Sequence, residues 1–436
     1  MLGLLVPWLL PAATAPAFDS ALVGCDRADE RITAVVNTHL DPSCVYTKGI
    51  DITASNVVLD CRGAVLERND PEDGRETRLG ILIEAPADVP LSNIIVRNCT
   101  VRGFNNDMRI RRVGAKDLPI EQKYDHPFSD IRVENTHLYD SEASGLFVDA
   151  FVSGVTIRNV EVAGAGAVGI YLEGGSKDNV VSRCYIHDNG YGQVTPEGIP
   201  IDVGGITFRY LSTGREGIAV DGSRNNRILR NVITRNSAGG IFLYKNCGED
   251  YTQRPNQWWH RPYGSDGNLI SGNEISEEEN GVWIASRMAE NQYFMDCSDP
   301  AYLSGPLTAV HLDPARDNVV RRNKFTEVIY GVRIEDDGAL VEKNRFTSTD
   351  PTHQAIILGT KHRTEVLGQP VDGTTIRSNR SNIDGNAEPY GWIHGHTNTT
   401  FLRNRSQNVG VSLGEGVQPP INPFLFAKEI WVEGSR

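Results

Sequence analysis

A row of carboxylates recurs along this 436-residue chain, in a strand pattern of the form Gly-apolar-x-apolar-x. Carboxylates at equivalent places in neighbouring strands can bind hydroxyl groups, transfer protons or coordinate a hard cation such as Ca²⁺. A lysine, Lys245, follows one copy of the pattern at the edge of the carboxylate row. We therefore predict that Asp149, Glu173 and Asp221 are catalytic residues that bind hydroxyls, hold a metal or transfer protons. The last pattern position is occupied in turn by Asp149, Glu173, Asp221, Tyr244, Ala285 and Glu335.

An aromatic row accompanies the carboxylates. Successive side chains of a strand face opposite sides, so the apolar positions should point inward and both x positions outward. The first x position is Phe147, Tyr171, Ala219, Phe242, Trp283 or Arg333. Flat aromatic faces suit sugar rings, and we predict substrate-binding roles for Phe147, Tyr171, Phe242 and Trp283. The structural alternative is that inserted segments cover the aromatics while Arg or Lys side chains pair with the carboxylates.

Basic and aromatic residues interleave in the segment after Tyr244, within a chain of net charge −13. This mixture predicts an anionic sugar ligand such as a uronate, and the net charge argues against nucleic acid as a partner. If the ligand is a polymer that the protein cleaves, we predict that Tyr244 or His260 protonates the sugar oxygen that leaves. The alternative is that the two tryptophans only attach the segment to the rest of the molecule. The predicted ligand-binding residues are Trp258, Trp259, Arg261 and the more distant Arg287.

The strands that carry these residues belong to a longer repeat. A polar residue, a short β-branched run and a polar residue end repeatedly in Asn, and the shortest units are roughly 21–25 residues, as in solenoids. One unit cannot bury its apolar face alone, whereas stacked units can. We therefore predict an all-β, right-handed parallel β-helix with the Asn residues stacked at one turn. The aligned residues are Asn135, Asn159, Cys184, Asn231, Asn273, Asn323, Asn344 and Asn404.

Longer units indicate insertions, which we expect at 104–127, 189–213, 246–266 and 287–316 as walls of a cleft. Segments 189–213 and 246–266 should flank one groove. The predicted organisation is a signal peptide at 1–17, an N-terminal cap at 18–49, β-helix coils at 50–414 and a C-terminal cap at 415–436. The apolar start followed by Ala-Pro-Ala at 15–17 indicates export to the periplasm or medium, without a transmembrane segment. A lipoprotein-like sequence at 22–25 is the weaker alternative.

Export would permit disulfides among the seven cysteines. Cys25 could pair with Cys44, and Cys247 with Cys297. The other three, Cys61, Cys99 and Cys184, are interpreted as small buried residues. The spacing of Cys and His residues gives no indication of zinc, and the sequence gives no indication of an organic cofactor.

The repeats, together with the first coil at 50–63, resemble the right-handed parallel β-helix superfamily of carbohydrate-active proteins, over roughly 50–410. This resemblance implies a polysaccharide or oligosaccharide partner. Some lyases of the superfamily hold Ca²⁺ with acids from successive coils and use a nearby Lys as base, an arrangement that Asp149, Glu173, Asp221 and Lys245 resemble. The Asp-Pro-His-Asp signature of alginate epimerases is missing, which lowers the epimerase interpretation.

Three functions stay open at this point. The first is a β-eliminating lyase, or a C5-epimerase, in which Lys245 removes the C5 proton while Ca²⁺, Arg261 or Arg287 neutralises the uronate. The second is a glycoside hydrolase that uses two of the carboxylates. The third is a non-catalytic carbohydrate-binding β-helix. We expect Lys245→Ala and Asp221→Asn to abolish turnover without loss of the fold. The sequence leaves the oligomeric state open.

Overall fold

The structure is a computed structural model that describes residues 20–69, 78–203, 206–246, 261–289, 311–360, 362–366, 368–416 and 431–432. Its described part is dominated by two long sheets of parallel strands, here named sheet I and sheet II. Each coil contributes one strand to sheet I and two strands, or one long strand, to sheet II. The predicted parallel β-helix is therefore confirmed.

Sheet I has 13 strands in the described residues, and they follow the chain order. Strands from Ile32–Ala34 onward pair with the equivalent strand of the next coil. The strands are Ile32–Ala34, Ile50–Ile52, Leu79–Pro86, Asn106–Val113, Ser144–Val148, Ile170–Leu172, Glu216–Asp221, Gly239–Tyr244, Asn280–Ile284, Tyr330–Ile334, Gln354–Leu358, Tyr390–Trp392 and Gly414–Glu415.

Sheet II has 24 strands in the same described ranges and wraps two sides of the coils. Its strands are Ser20–Val23, Asn37–Leu40, Val45–Tyr46, Val57–Asp60, Val65–Glu67, Ser92–Arg97, Thr100–Arg102, Ser129–Tyr139, Val155–Ala163, Val180–Ser182, Tyr185–His187, Arg227–Leu229, Val232–Thr234, Leu269–Ser271, Glu274–Ser276, Val319–Arg321, Lys324–Thr326, Leu340–Glu342, Arg345–Ser348, Thr375–Arg377, Arg380–Ile383, Thr400–Leu402, Arg405–Ser406 and Val409–Gly410.

The core lies between the two sheets because alternate strand residues point inward. In sheet I the inward positions are the apolar ones of the repeat, such as Leu146 and Val148, and both are fully buried. The x residues belong to a different side of the sheet, since Phe242 and Trp283 pack in a second hydrophobic cluster. The predicted alternation is therefore confirmed.

The stacked Asn residues form the predicted ladder at the turn inside sheet II. The side-chain amide of Asn231 donates to Oδ1 of Asn273 at 3.0 Å, and Asn273 donates to Asn323 at 2.9 Å. Asn135 and Asn159 are not members, because the strand register places them one residue earlier, in exposed left-handed backbone. Each rung hydrogen-bonds a buried turn, which explains the recurrence of Asn.

A second Asn ladder precedes the first strand of each sheet II pair. Asn179 donates to Asn226 at 3.0 Å, Asn226 to Asn268 at 2.9 Å, and Asn268 to Asn318 at 3.1 Å. All four side chains are buried. In the repeat these residues are only its variable polar start, so the sequence showed their position but not their role.

The region predicted as an N-terminal cap, 18–49, already contributes strands to both sheets. Cys25 and Cys44 form the predicted disulfide there. The interpretation of Cys61 and Cys99 as lone buried residues is wrong, because they form a second disulfide. These two residues start the same turn in consecutive coils, with Cα atoms 4.8 Å apart. Cys184 is free and buried as expected, whereas Cys247 and Cys297 lie outside the described residues.

The insertions differ in character. Segment 104–127 is partly a regular coil, because Asn106–Val113 is a sheet I strand; the rest has short 3₁₀ turns at Ala115–Asp117 and Ile120–Gln122. Segment 189–213 has a 3₁₀ turn at Tyr191–Gln193 and an antiparallel hairpin, Val194–Val203 with Ile206–Thr213, which Trp431–Val432 extends. Segment 287–316 includes the antiparallel pair Arg287–Ala289 and His311–Asp313.

Few other elements complete the described chain. Val371–Asp372 pairs with His396–Thr397, a 3₁₀ turn spans Cys25–Arg27, and a π-helical turn spans His362–Val366. None of the described helices is long and apolar enough to cross a membrane.

Candidate functional site

The outward face of sheet I brings the predicted residues into register. Phe147 pairs with Tyr171, Ala219 with Phe242, and Phe242 with Trp283 on consecutive coils, which parallel strands space by about 4.8 Å. The row extends toward the N-terminus through Arg109, Leu82 and Asp51. The sequence pattern therefore positioned one continuous face correctly.

The aromatic row divides into an accessible and a buried part. Phe147 and Tyr171 are half-buried and stack with ring centroids 4.7 Å apart and planes within 4°. The guanidinium of Arg109 lies 5.0 Å from the Phe147 centroid. Phe242 and Trp283, by contrast, are 2% and 0% exposed, so an aromatic strip open along its whole length is not what forms. Among the aromatic residues of this row, all of which the structure describes, only the Phe147–Tyr171 pair offers ring surface to a ligand.

The first two predicted carboxylates are each paired with a cation. Asp149 accepts two hydrogen bonds from Arg109, at 2.8 and 3.0 Å. Glu173 accepts from Lys116 at 2.7 Å and from the backbone of Ala150 at 3.1 Å. Burial, which outweighs the opposing charge of Arg109, raises the pKa of Asp149 to about 6, and the neighbouring charge of Glu173 adds to this effect. The structural alternative of paired carboxylates therefore holds at these two positions.

Asp221 lies at the centre of a buried polar cluster. It is fully buried and accepts hydrogen bonds from the hydroxyl of Tyr171 at 2.6 Å and from Arg261 at 2.6 Å. Asn246 contributes two more, from its backbone N–H and its side-chain amide. Burial opposes ionisation, but Arg261, Tyr171 and Asn246 together lower the pKa of Asp221. The four donors hold it as a carboxylate.

Tyr171 is the half-buried member of this cluster. Its hydroxyl also accepts a hydrogen bond from the side-chain amide of Asn246, at 3.0 Å. Burial, and next the negative charge of Asp221, raise the pKa of Tyr171 well above its usual value. The hydroxyl therefore keeps its proton at neutral pH and can donate it.

Tyr244 faces a different partner. Its hydroxyl donates to Glu216 at 2.7 Å and accepts from Arg215 at 2.8 Å, and the side chain is 3% exposed. Burial and the charge of Glu216 raise its pKa well above the usual value. Glu216 and Arg215 lie at the entry to the strand and were not among the predicted site residues, because they precede the repeat pattern.

Lys245 lies in the turn directly after its strand and is buried. Its stem passes close to Gly222, since a Cβ at Gly222 would lie 3.6 Å from Lys245 Cγ. Asp221 occupies an outward position of its strand, as expected, but Asp221 and Lys245 are 0% and 5% exposed. The expectation that the loss of either side chain costs little stability is therefore revised. Further along the row, the buried Glu335 accepts a hydrogen bond from Arg333. The Arg333 guanidinium lies 3.6 Å from the centroid of the Trp283 ring.

Asp149, Glu173 and Asp221 do not converge as Ca²⁺ ligands. Their oxygen atoms do not form a group close enough to share an ion, and each carboxylate already accepts hydrogen bonds from a cationic side chain. The one metal-capable group in the described ranges is Cys25, Asp41 and Cys44, whose two sulfurs form a disulfide. The arrangement of these three carboxylates therefore does not fit calcium.

A groove that was not predicted from the sequence lies on the same face, over the N-terminal coils. It has a volume of about 770 Å³ and is lined by four arginines together with Asp51 and Glu84. Three of the arginines pair with carboxylates: Arg31 with Asp51, Arg111 with Glu84, and Arg109 with Asp149. The fourth, Arg78, is exposed. The segment Gly80-Ile-Leu-Ile-Glu84 repeats the Gly-apolar-x-apolar-x pattern and could have located it.

For the remaining predicted site residues, the structure gives no side-chain contacts or distances. Trp258, Trp259 and His260 lie outside the described residues, as does most of segment 246–266. Arg287 is placed only as the first residue of a short strand. The hairpin of segment 189–213 comes before the sheet I strand Glu216–Asp221, whereas segment 246–266 comes after the next strand, Gly239–Tyr244. The two insertions are therefore attached at opposite ends of the sheet I strands.

Two family models match the chain. "Right handed beta helix region" matches residues 51–210 and 123–256. The chain is a right-handed parallel β-helix. "Periplasmic copper-binding protein (NosD)" matches residues 201–363 of this β-helix. No curated protein matches the chain.

Solved structures with a similar fold include the A-module of a mannuronan C-5 epimerase from Azotobacter vinelandii, at 12% identity, covering 92% of each chain with a TM-score of 0.48. An alginate lyase from Paenibacillus sp. str. FPU-7 is 13% identical, covering 88% of this chain and 98% of its own, with a TM-score of 0.44. A tailspike protein of E. coli bacteriophage HK620 is 10% identical, covering 90% of this chain and 60% of its own, with a TM-score of 0.45.

Proposed function

We propose that this β-helix is a periplasmic or secreted enzyme that acts on a uronate-containing polysaccharide by β-elimination or C5-epimerisation. The observation that carries the proposal is the continuous outward face of sheet I. There an arginine-lined groove leads to the stacked Phe147–Tyr171 pair and then to the Asp221 cluster. Charge, ring surface and a proton donor therefore follow one another along a single line of coils.

Binding would use the groove and the aromatic pair. Guanidinium groups bind carboxylates with two parallel hydrogen bonds, and a uronate chain presents one carboxylate per sugar. Arg78 is exposed at the groove, and Arg109 lies at its junction with Phe147. A sugar ring stacked on Phe147 and Tyr171 would place its neighbours toward the arginines on one side and toward Asp221 on the other.

The chemistry needs a base for the C5 proton and, in a lyase, an acid for the leaving O4. We assign the base to Lys245, which precedes Asn246 of the Asp221 cluster, and the acid to Tyr171. The C5–H pair of electrons forms the C4–C5 double bond, the C4–O4 bond breaks, and O4 takes the Tyr171 proton. An epimerase would return a proton to C5 from the opposite face and leave O4 in place. An arginine then neutralises the uronate carboxylate, a role that the sequence left open between Ca²⁺, Arg261 and Arg287.

A hydrolase is the second candidate, on a separate observation. Asp149 and Glu173 lie on neighbouring coils, and burial raises the pKa of Asp149 to about 6. A carboxylic acid beside a carboxylate is the pair that glycoside hydrolysis uses. Asp149 is already paired with Arg109 and Glu173 with Lys116, so this candidate ranks second.

The test is a panel of alginate, polygalacturonate and neutral dextran. The absorbance of unsaturated uronates reports elimination, exchange of solvent deuterium into C5 reports epimerisation, and new reducing ends without unsaturation report hydrolysis. General acid–base groups contribute typically 10²–10⁴-fold, so Tyr171→Phe and Lys245→Ala should each lower kcat by about that factor. Tyr185→Phe, an exposed tyrosine on sheet II, is the control.

Full activity in Lys245→Ala and Tyr171→Phe would remove the proposed mechanism. If Asp149→Asn and Glu173→Gln lose hydrolysis while Lys245→Ala remains active, the hydrolase is established instead. If the folded protein converts none of these polymers, the remaining function is carbohydrate binding without catalysis.

A further inference from the structure

A second arginine-lined depression lies on sheet II, away from the face described above. It has a volume of about 540 Å³ and extends over the coils between Arg158 and Arg321. We name it the arginine trough. The arginines that line it are Arg158, Arg183, Arg227, Arg230, Arg321 and Arg322.

The floor of the trough is made by the strand register. One outward row of sheet II runs from Arg158 through Ser182, Leu229 and Ser271 to Arg321 on consecutive coils. Three short or apolar side chains thus separate two arginines that lie four coil steps apart, or ~19 Å at the usual strand spacing. The depression is consequently elongated along the β-helix axis.

The long side of the trough repeats one backbone conformation. Arg183, Arg230 and Arg322 occupy the same turn position of different coils, each with a positive φ of 54–55°. The coil between the last two has Gly272 at this position, which leaves a gap in the row. Arg227, exposed on the strand side, faces the row from across the floor.

The guanidinium groups of these six arginines form no ion pair or hydrogen bond with any residue that the structure describes. The Nε–H of Arg321 is even buried without an acceptor in the same ranges. Outside the trough the same row of sheet II does pair its arginines, Arg97 with Asp60 at one end and Arg377 with Glu342 at the other. Along this row of the described strands, the unpaired arginines, Arg158 and Arg321, are therefore those of the trough.

Unpaired like charges on neighbouring strands repel and destabilise a sheet. In a chain of net charge −13, carboxylates were available to neutralise them, as they do at both ends of the row. We propose that the arginine trough binds a segment of acidic polysaccharide by its carboxylates, outside the groove in which the polymer is modified.

The identity of this ligand rests on the proposed function. The elongated shape fits a chain rather than a single small anion, and four coil steps provide several arginines in succession. A sugar polymer with a carboxylate on each unit matches this repetition. Aromatic side chains for base stacking do not line the trough, which disfavours single-stranded nucleic acid.

The test measures binding of polygalacturonate and alginate in the Lys245→Ala background, so that the polymer is not consumed. Arg227→Gln/Arg230→Gln removes one strand arginine and one turn arginine from the trough. Arg62→Gln/Arg102→Gln is the matched control, with one positive-φ turn residue and one strand residue on N-terminal coils. Charged hydrogen bonds justify an expected loss of ~10-fold or more in affinity for the trough variant, against less than about twofold for the control.

Equal affinity of the two variants would overturn the proposal, and so would equal binding of neutral dextran. Tighter binding of double-stranded DNA than of either polyuronate, lost in the trough variant, would assign the trough to nucleic acid and likewise refute it. Arg183→Gln/Arg322→Gln provides an independent pair if the first variant unfolds. Turnover of short oligouronates by the trough variant with Lys245 intact should equal wild type, so failure of the trough and failure of the proposed enzyme are distinguishable.

Discussion

Asp221→Asn should both destabilise the protein and abolish its activity. The substitution keeps the size of the side chain but replaces a carboxylate by an amide with one oxygen and an N–H₂ donor. Asp221 now accepts from Tyr171, from Arg261 and twice from Asn246. An amide cannot satisfy these four donors, and its own donor would face Arg261. The expectation from sequence that this variant leaves the fold undisturbed therefore changes.

The magnitude follows from burial. Asp221 is fully buried and the Arg261 side chain is 12% exposed, so the change leaves a largely buried charge without its partner. Breaking such a pair from one side costs about 3–5 kcal/mol. Tyr171→Phe removes only one neutral donor and should cost about 1–2 kcal/mol. Because both substitutions act on one hydrogen bond, the double variant should lose less than the sum of the two.

The loss should depend on pH. The pKa of Asp221 is lowered in the folded protein, so its contribution to stability is present above the unfolded pKa of ~3.8 and is lost as the pH falls through the folded pKa. The difference between wild type and Asp221→Asn should therefore be full at pH ~7 and shrink at acidic pH.

The assay is urea unfolding followed by tryptophan fluorescence at several pH values. Glu30→Gln is the control, because it disrupts the exposed Arg27–Glu30 pair and should change the free energy of unfolding by less than ~1 kcal/mol. A loss below about 1 kcal/mol for Asp221→Asn at neutral pH, or a loss that is independent of pH, would refute the argument.

Two further predictions concern the ladder and the titration of Asp149. Asn273→Ala should cost about 2–4 kcal/mol in urea unfolding, because it leaves the buried N–H groups of Asn231 without their acceptor, whereas the exposed Asn159→Ala should cost under ~1 kcal/mol. The pKa of Asp149, raised to about 6, predicts that stability falls as the pH rises from the unfolded value, ~3.8, to about 6, since the folded state holds a proton that the unfolded chain has released. Asp149→Asn should flatten the free energy of unfolding across that window; an unchanged slope would contradict the assignment.

The fold followed from the sequence because its physics is local and repeated. Alternation in each strand determined which residues pack inward, and Leu146 and Val148 obey it. The Asn at each turn marked the coil length. The row at Asn179 was overlooked because a polar residue before a strand has many ordinary explanations, and only stacking shows that it forms a ladder.

The candidate site was predictable in position but not in partners. Register placed Phe147 beside Tyr171, since consecutive coils must stack. The cations that neutralise the carboxylates come from 40 to 57 residues away, as with Arg109 to Asp149 and Lys116 to Glu173. Lys116 reaches Glu173 from a 3₁₀ turn of the 104–127 insertion, whose path period-two alternation does not encode. Arg109 lies instead on a regular coil strand beside Ser144–Val148, so its contact follows from register once that strand is recognised. The predicted Ca²⁺ site does not fit the structure because the sequence did not show which cationic side chains pair with these carboxylates.

Net charge and local charge lead to different conclusions for this protein. The value of −13 describes the field at long range, which repels any polyanion, including the proposed substrate. Contact with the trough reverses the sign, because its arginines form no ion pair with any residue that the structure describes, whereas three of the four groove arginines are paired with carboxylates. Salt screens the long-range repulsion first, since the Debye length is only ~10 Å at 0.1 M. Polyuronate binding should therefore weaken less steeply with salt than it would for a basic protein with the same number of arginine contacts.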